Sequence, residues 1–260
     1  MKKITLYIII GLVILSLGLG LGLGLGLGLG LKKDKKECFD NIELIKKRNG
    51  YYTFFVHGYY NSGTNWIQSL IKNNTPTDKV YITCFEHGYI NDNNIISDCG
   101  GGKHSYLRQE LLNQKKVIII YVIRDFESWL PSHINNRYET SFNGDIISST
   151  YEWPSMNVYE LYCYMINKNL NLLKNSESNY VIVNMKKLQK SNGYDLIKLL
   201  KDHNLDFSKE FIPVLKHTKN NENKQNRDYN KVDINYYKKK SNKEIDDYVS
   251  SLTMEYRLNL

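Results

Sequence analysis

The chain of 260 residues has no alanine, only four prolines and only four cysteines. Cys38, Cys84, Cys99 and Cys163 form no C-x-x-C pair, and no histidine stands at zinc-ligand spacing from a cysteine pair. A structural zinc centre is therefore not expected. Cys84 and Cys99 suit a short disulfide-closed loop in an oxidising compartment; two ordinary thiols are the equal alternative. A concentrated charge is also missing. The net charge is +8, and residues 1–37 supply half of it through six lysines set against Asp34 and Glu37. The other half is spread over 223 residues, unlike a dedicated nucleic-acid binder, which gathers basic residues on one face. The Asn-rich stretch Lys216–Lys243 reads as a solvated surface loop rather than a polyanion-binding patch.

What is present is enough for a core: 42% of residues are hydrophobic and 12% aromatic, which excludes wholesale disorder. Twenty-one tyrosines, thirty asparagines and the missing alanine fit an AT-rich coding bias, so surface Asn and Lys carry little information. The length suits one membrane or targeting element plus one domain of about 200 residues. Ile4–Leu31 runs for 28 residues without a charge. As a helix it would be about 42 Å long, enough to cross a hydrocarbon core of about 30 Å with tilt. The run exceeds the about 7–15 apolar residues of a cleavable signal, and no small-residue cleavage site follows, so an uncleaved anchor is expected. Its second half, Leu17–Leu31, alternates Gly and Leu. Glycine at period 2 gives no single Gly-rich face, which argues against a dimerisation stripe. Lys32, Lys33, Lys35 and Lys36 outnumber Lys2 and Lys3, and this count favours a cytoplasmic C-terminal domain. Asp34, Glu37 and the amino terminus blur it, so the side stays open.

After a linker over 38–50, strand and helix patterns alternate. Tyr51–Gly58, Lys79–Cys84, Val117–Ile123 and Tyr180–Met185 read as strands. Thr64–Asn73, Phe126–Asn136, Met156–Lys174, Gly193–His203 and Asn242–Leu260 read as helices, with Pro131 inside the second. Residues 85–103 and 137–155 read as loops. The unbroken apolar run Val117–Ile123 belongs in the middle of a sheet covered on both faces. The expectation is an α/β domain over 51–260 with a central, mainly parallel sheet flanked by helices, preceded by the membrane anchor over 1–37.

Two strand ends carry chemistry. Gly58-Tyr-Tyr-Asn-Ser-Gly63 follows the first strand and opens a helix, where backbone N–H groups favour an anion. The G-x-x-x-x-G spacing is that of a nucleotide-phosphate loop, but Thr64-Asn65 stand where Lys and Ser/Thr would hold phosphate and magnesium. The residues left are a phosphate cradle of amides with Ser62, Thr64 and Asn65; an ordinary strand–helix turn is the equal alternative. Arg124 ends the strongest strand, and Ser132 lies eight residues on, two helical turns away. A guanidinium with a hydroxyl suits a terminal phosphate. A structural Arg124–Asp125 pair is the alternative.

Together these motifs resemble the sulfotransferase family that uses 3′-phosphoadenosine 5′-phosphosulfate (PAPS). Tyr60-Asn61-Ser62-Gly63-Thr64-Asn65-Trp66 stands in place of a first motif like P-K-S-G-T-T-W. Arg124 with Ser132 matches the second, and the resemblance spans roughly residues 51–260. It implies a P-loop-like three-layer fold, with the 5′-phosphosulfate on the loop over Asn61–Trp66 and the 3′-phosphate on Arg124 and Ser132. Trp66 would lie against adenine; a core aromatic is its alternative. Asn61 replaces the family's loop lysine, which touches the bridging oxygen and the sulfuryl group. Lys103 is the candidate replacement cation. The resemblance places a catalytic base about twenty residues before the motif arginine, which selects His104; His87 and Glu86 are the runners-up. No metal is required. Relatives with such an anchor usually sulfate carbohydrate in the Golgi lumen, so a glycan acceptor, an ER or Golgi membrane and a lumenal domain are the first expectation. The sequon Asn73-Asn74-Thr75 is compatible with that side. Nucleic acid is not an expected partner. The rival readings are a catalytically inactive nucleotide-binding domain and a P-loop kinase or NTPase.

Overall fold

The computed structural model describes residues 52–75, 80–83, 107, 112, 117–135, 140–149, 155–205, 207, 210–214 and 232–260. All of them fall in the compact unit Asn49–Leu260. The expected anchor over 1–37, the linker over 38–50 and the expected loop 85–103 lie outside them. Among the described residues no helix is long and apolar enough to cross a membrane.

In chain order the strands are β1 (Tyr52–Gly58), β2 (Val80–Thr83), β3 (Val117–Ile123), β4 (Thr140–Asn143), β5 (Ile146–Ser149), β6 (Met156–Asn157), β7 (Asn179–Asn184) and β8 (Met254–Arg257). The helices are α1 (Thr64–Asn74), α2 (Phe126–Asn135), α3 (Val158–Lys174), α4 (Met185–Lys190), α5 (Tyr194–Asp202), α6 (Ile234–Tyr237) and α7 (Lys243–Ser251). Five strands form the main sheet in the order β2-β1-β3-β7-β8. The first four run parallel and β8 is antiparallel to β7, so the domain is α/β with a mixed sheet.

Every residue of β3 is buried, as its unbroken apolar sequence requires of a strand covered on both faces. The period of two sorts the side chains. Phe54, Val56, Ile118, Ile120, Val122, Val181 and Val183 meet Ile67, Leu70 and Ile71 of α1, Leu188 of α4, and Leu196, Ile197 and Leu200 of α5. Burying each such Ile or Leu stabilises the fold by about 1.5–3 kcal/mol. On the opposite face Tyr121 stacks on His57 and hydrogen-bonds Asn169 of α3. Phe126 and Trp129 then lock α2 onto Tyr159 and Tyr162 of α3. Helices thus cover both faces of the sheet.

Four sequence expectations change. The helix expected from Met156 starts at Val158, because the Asn157 carboxamide caps it by accepting from Tyr159 and Glu160 N–H groups. The strand expected over Tyr180–Met185 runs over Asn179–Asn184, and Asn184 turns from strand partner to cap of α4. The stretch 137–155, read as loop, contains the β4–β5 hairpin, with Gly144-Asp145 as its two-residue turn and Gly144 at φ +62°. The C-terminal helix expected to reach Leu260 stops at Ser251. Its last residues become β8, because β7 offers an unpaired edge that Met254–Arg257 fills.

Candidate functional site

The site lies at the carboxyl ends of β1 and β3. The chain leaves β1 to one side for β2 and returns on the other side for β3, so the strand order reverses between β1 and β3. Such a reversal opens a crevice above the strand ends.

Close packing sets the shape of the first loop. A Cβ on Gly58 would stand 2.4 Å from Ser62 Oγ and 2.6 Å from the Val122 carbonyl oxygen, so only glycine lets the loop fold back over β3. Ser62 N–H donates to the Tyr59 carbonyl at 3.0 Å, which tightens the turn. Asn61 takes φ +61° and Gly63 φ +105°, two left-handed residues flanking Ser62. Gly63 precedes α1 with no side-chain cap, and the first turn of α1 has no acidic residue. An anion there meets the positive end of the helix without a competing carboxylate. Thr64 and Ser62 are both buried, and among the described residues Ser62 Oγ has no hydrogen-bond partner. A buried hydroxyl without a partner is costly. Ser62 lines a small cavity of about 10 Å³ together with Arg124, Tyr59, Trp129 and Tyr162.

Arg124 joins the two motifs. Its Nη1 donates to Ser132 Oγ at 3.0 Å and to the Asn61 carbonyl at 3.2 Å, and its Nε donates to Ser128 Oγ at 3.2 Å. Its own carbonyl accepts from Tyr162 OH at 2.8 Å. Burial holds that phenol protonated well above the ordinary tyrosine range. Asp125 spends its carboxylate on the start of α2, accepting from Ser128 N–H at 3.2 Å, so the expected alternative of an Arg124–Asp125 pair does not describe these contacts. Arg124 is half-buried, with its guanidinium held at the crevice.

Two residues of the site carried no sequence signal. His133 is fully buried; its Nδ1 lies 3.3 Å from Asn61 Nδ2 and its Nε2 lies 3.2 Å from Thr140 Oγ1. It stacks on Trp129 at 4.9 Å, and Trp129 Nε1 donates to the Tyr60 carbonyl at 2.6 Å. The imidazole thus ties the loop, α2 and the hairpin together. Helical spacing puts Trp129 and His133 four residues apart on one face, a pattern visible in sequence only once the partner loop is known. The second is Lys186, the second residue of α4, whose Nζ lies 3.8 Å from Asp125 Oδ2.

The structure brings together Asn61, Ser62, Gly63, Thr64, Arg124 and Ser132. Asn65 is half-buried in the first turn of α1. Trp66 is half-buried and packs on the hydrophobic cluster, where a Cβ on Gly193 would lie 3.0 Å from its ring. Lys103, His104, His87 and Glu86 lie outside the described residues. No family model matches the chain, and neither a curated protein nor a solved structure matches it.

Proposed function

We propose that the chain is a membrane-anchored sulfotransferase that moves a sulfuryl group from PAPS to an acceptor hydroxyl or amine, with a glycan as the first acceptor class. In this reading the mixed sheet with helices on both faces is a P-loop-like three-layer fold. The observation that carries the proposal is Arg124, which touches Ser132 and the Asn61 carbonyl through one nitrogen. Two oxyanion sites on neighbouring strand ends are then close enough for the 3′-phosphate and 5′-phosphosulfate of one ribose. The Ser62 hydroxyl, unpartnered among the described residues, at an uncapped helix start supports the 5′ side.

The transfer is in line. The acceptor oxygen or nitrogen attacks sulfur, the bond from sulfur to the bridging phosphate oxygen breaks, and the acceptor proton passes to a base. Adenosine 3′,5′-bisphosphate leaves. His104 is the assigned base, with His87 and Glu86 behind it. Negative charge growing on the leaving phosphate is met by the loop amides and Asn61. The second reading is a domain that binds the nucleotide without transferring sulfate. It is favoured by a neutral Asn61 whose amide sits against His133.

Radiolabelled sulfate transfer to mixed glycans, small alcohols and proteins tests the proposal, alongside calorimetry with adenosine 3′,5′-bisphosphate. The expected result is label transfer and bisphosphate binding, with Arg124→Ala weakening that binding about a hundredfold. Binding without transfer selects the second reading, and magnesium-dependent ATP turnover selects a kinase or NTPase. His104→Ala removes turnover and spares binding; retained turnover moves the base to His87 or Glu86.

A further inference from the structure

The loop residue that the resembling family fills with lysine is Asn61, so charge growing on a bound phosphosulfate lacks a cation at that position. The end of β7 brings one. Ile123 pairs with Asn184 in the sheet, so Arg124 and Met185 leave neighbouring strands side by side. Met185 turns inward: a Cβ on Gly63 would stand 2.8 Å from its sulfur, which sets the start of α4 against the anion loop. Lys186 turns outward toward Asp125, the residue after Arg124, at 3.8 Å. That separation exceeds a hydrogen bond, and the lysine side chain is 66% exposed. A pair so exposed contributes little, and the ammonium is easily transferred to a stronger anion. The backbone beneath it is fixed, because Asn184 Oδ1 accepts from the N–H groups of Lys186 and Lys187 at 3.1 and 3.2 Å. Lys187 points elsewhere, donating to the Ser250 carbonyl.

We infer that Lys186 is the cation on the 5′ side of this site: its ammonium leaves Asp125 for the 5′-phosphate of the bound nucleotide and supplies the charge that Asn61 lacks. The inference rests on the nucleotide reading above. It assigns to the third strand end a role that the resemblance gives to the first.

The test is calorimetry on the full-length chain with adenosine 3′,5′-bisphosphate, adenosine 5′-phosphate and adenosine 3′-phosphate. Lys186→Met is expected to weaken the bisphosphate and the 5′-phosphate at least about tenfold and to leave the 3′-phosphate unchanged. Lys186→Arg restores affinity to within about threefold, since a guanidinium keeps the charge. Lys190→Met, on the exposed last turn of α4, changes nothing. Bisphosphate binding that is the same in Lys186→Met and the unaltered chain overturns the inference and leaves the nucleotide reading standing. A loss confined to the 3′-phosphate overturns the assignment to the 5′ side. Absence of bisphosphate binding by the unaltered chain overturns the nucleotide reading, and the inference with it.

Discussion

Replacing Gly63 by alanine tests how tightly the anion loop is built. Gly63 sits at φ +105°, where an L-residue is strained by about 1–2 kcal/mol. The added Cβ would also lie 2.8–2.9 Å from Sδ, Cε and Cγ of Met185. Met185 is buried, so it must leave its rotamer, at about 0.5–1.5 kcal/mol. Alanine also reduces the freedom of the unfolded chain, which returns about 0.4–1 kcal/mol. The net loss is about 2 kcal/mol, or roughly 4–8 °C in Tm for a domain of this size. Thermal unfolding followed by near-UV circular dichroism measures it. Met185→Ala separates the two causes. Alone it destabilises by about 2–5 kcal/mol through the cavity it leaves. Combined with Gly63→Ala the total loss should fall short of the sum by about 0.5–1.5 kcal/mol, because the crowding is gone and only the φ strain remains. A Tm within about 1 °C of the unaltered chain, or strictly additive losses, refutes the reasoning.

His133→Ala removes contacts to Asn61 and Thr140 and the stack on Trp129, and should lower stability by about 2–4 kcal/mol in urea unfolding. His133→Gln keeps polar atoms in reach and should recover part of that loss; equal loss in both variants would mean that the ring stacking alone matters. Burial pushes the Cys163 thiol up to about 11. The folded chain therefore keeps a proton that the unfolded chain releases near about 8.5. Cys163 favours folding below that lower value, and its contribution is lost as pH rises toward about 11. Urea midpoints of Cys163→Ala should fall less steeply than those of the unaltered chain across this window, and parallel curves would contradict the assignment. Alkylation of Cys163 should likewise be slow at pH 8 and quicken with alkali, as mass spectrometry of iodoacetamide-treated protein reads directly.

What could be read from the chain depended on how local the cause was. Val117–Ile123 was legible because seven apolar residues in a row suit only a strand with both faces covered. Arg124 and Ser132 were legible because both lie on one short segment, Arg124 two residues before α2 and Ser132 within it. The β4–β5 hairpin had a local signal, the turn pair Gly144-Asp145 between strand-forming residues, that the loop reading of 137–155 passed over. Met254–Arg257 had none: the segment is strand because β7 is beside it, and the helical pattern of Lys243–Ser251 hides the change. His133 and Lys186 belong to the same kind. Each acquires a role only from a residue 72 or 61 positions away, Asn61 for the first and Asp125 for the second. The packing of Trp66 beside Gly193 likewise joins residues far apart in the chain.

The crevice draws on the ends of β1, β3 and β7, which pair only after more than a hundred residues of chain have been threaded into register. No fragment containing one of these strands alone carries the complete set of contacts, so occupancy counts as a report on the whole sheet. By mass action a ligand at a hundred times its Kd adds about 2.7 kcal/mol to the folded state. That gain should surface as slower amide hydrogen exchange along all three strands together, including residues far from the bound molecule.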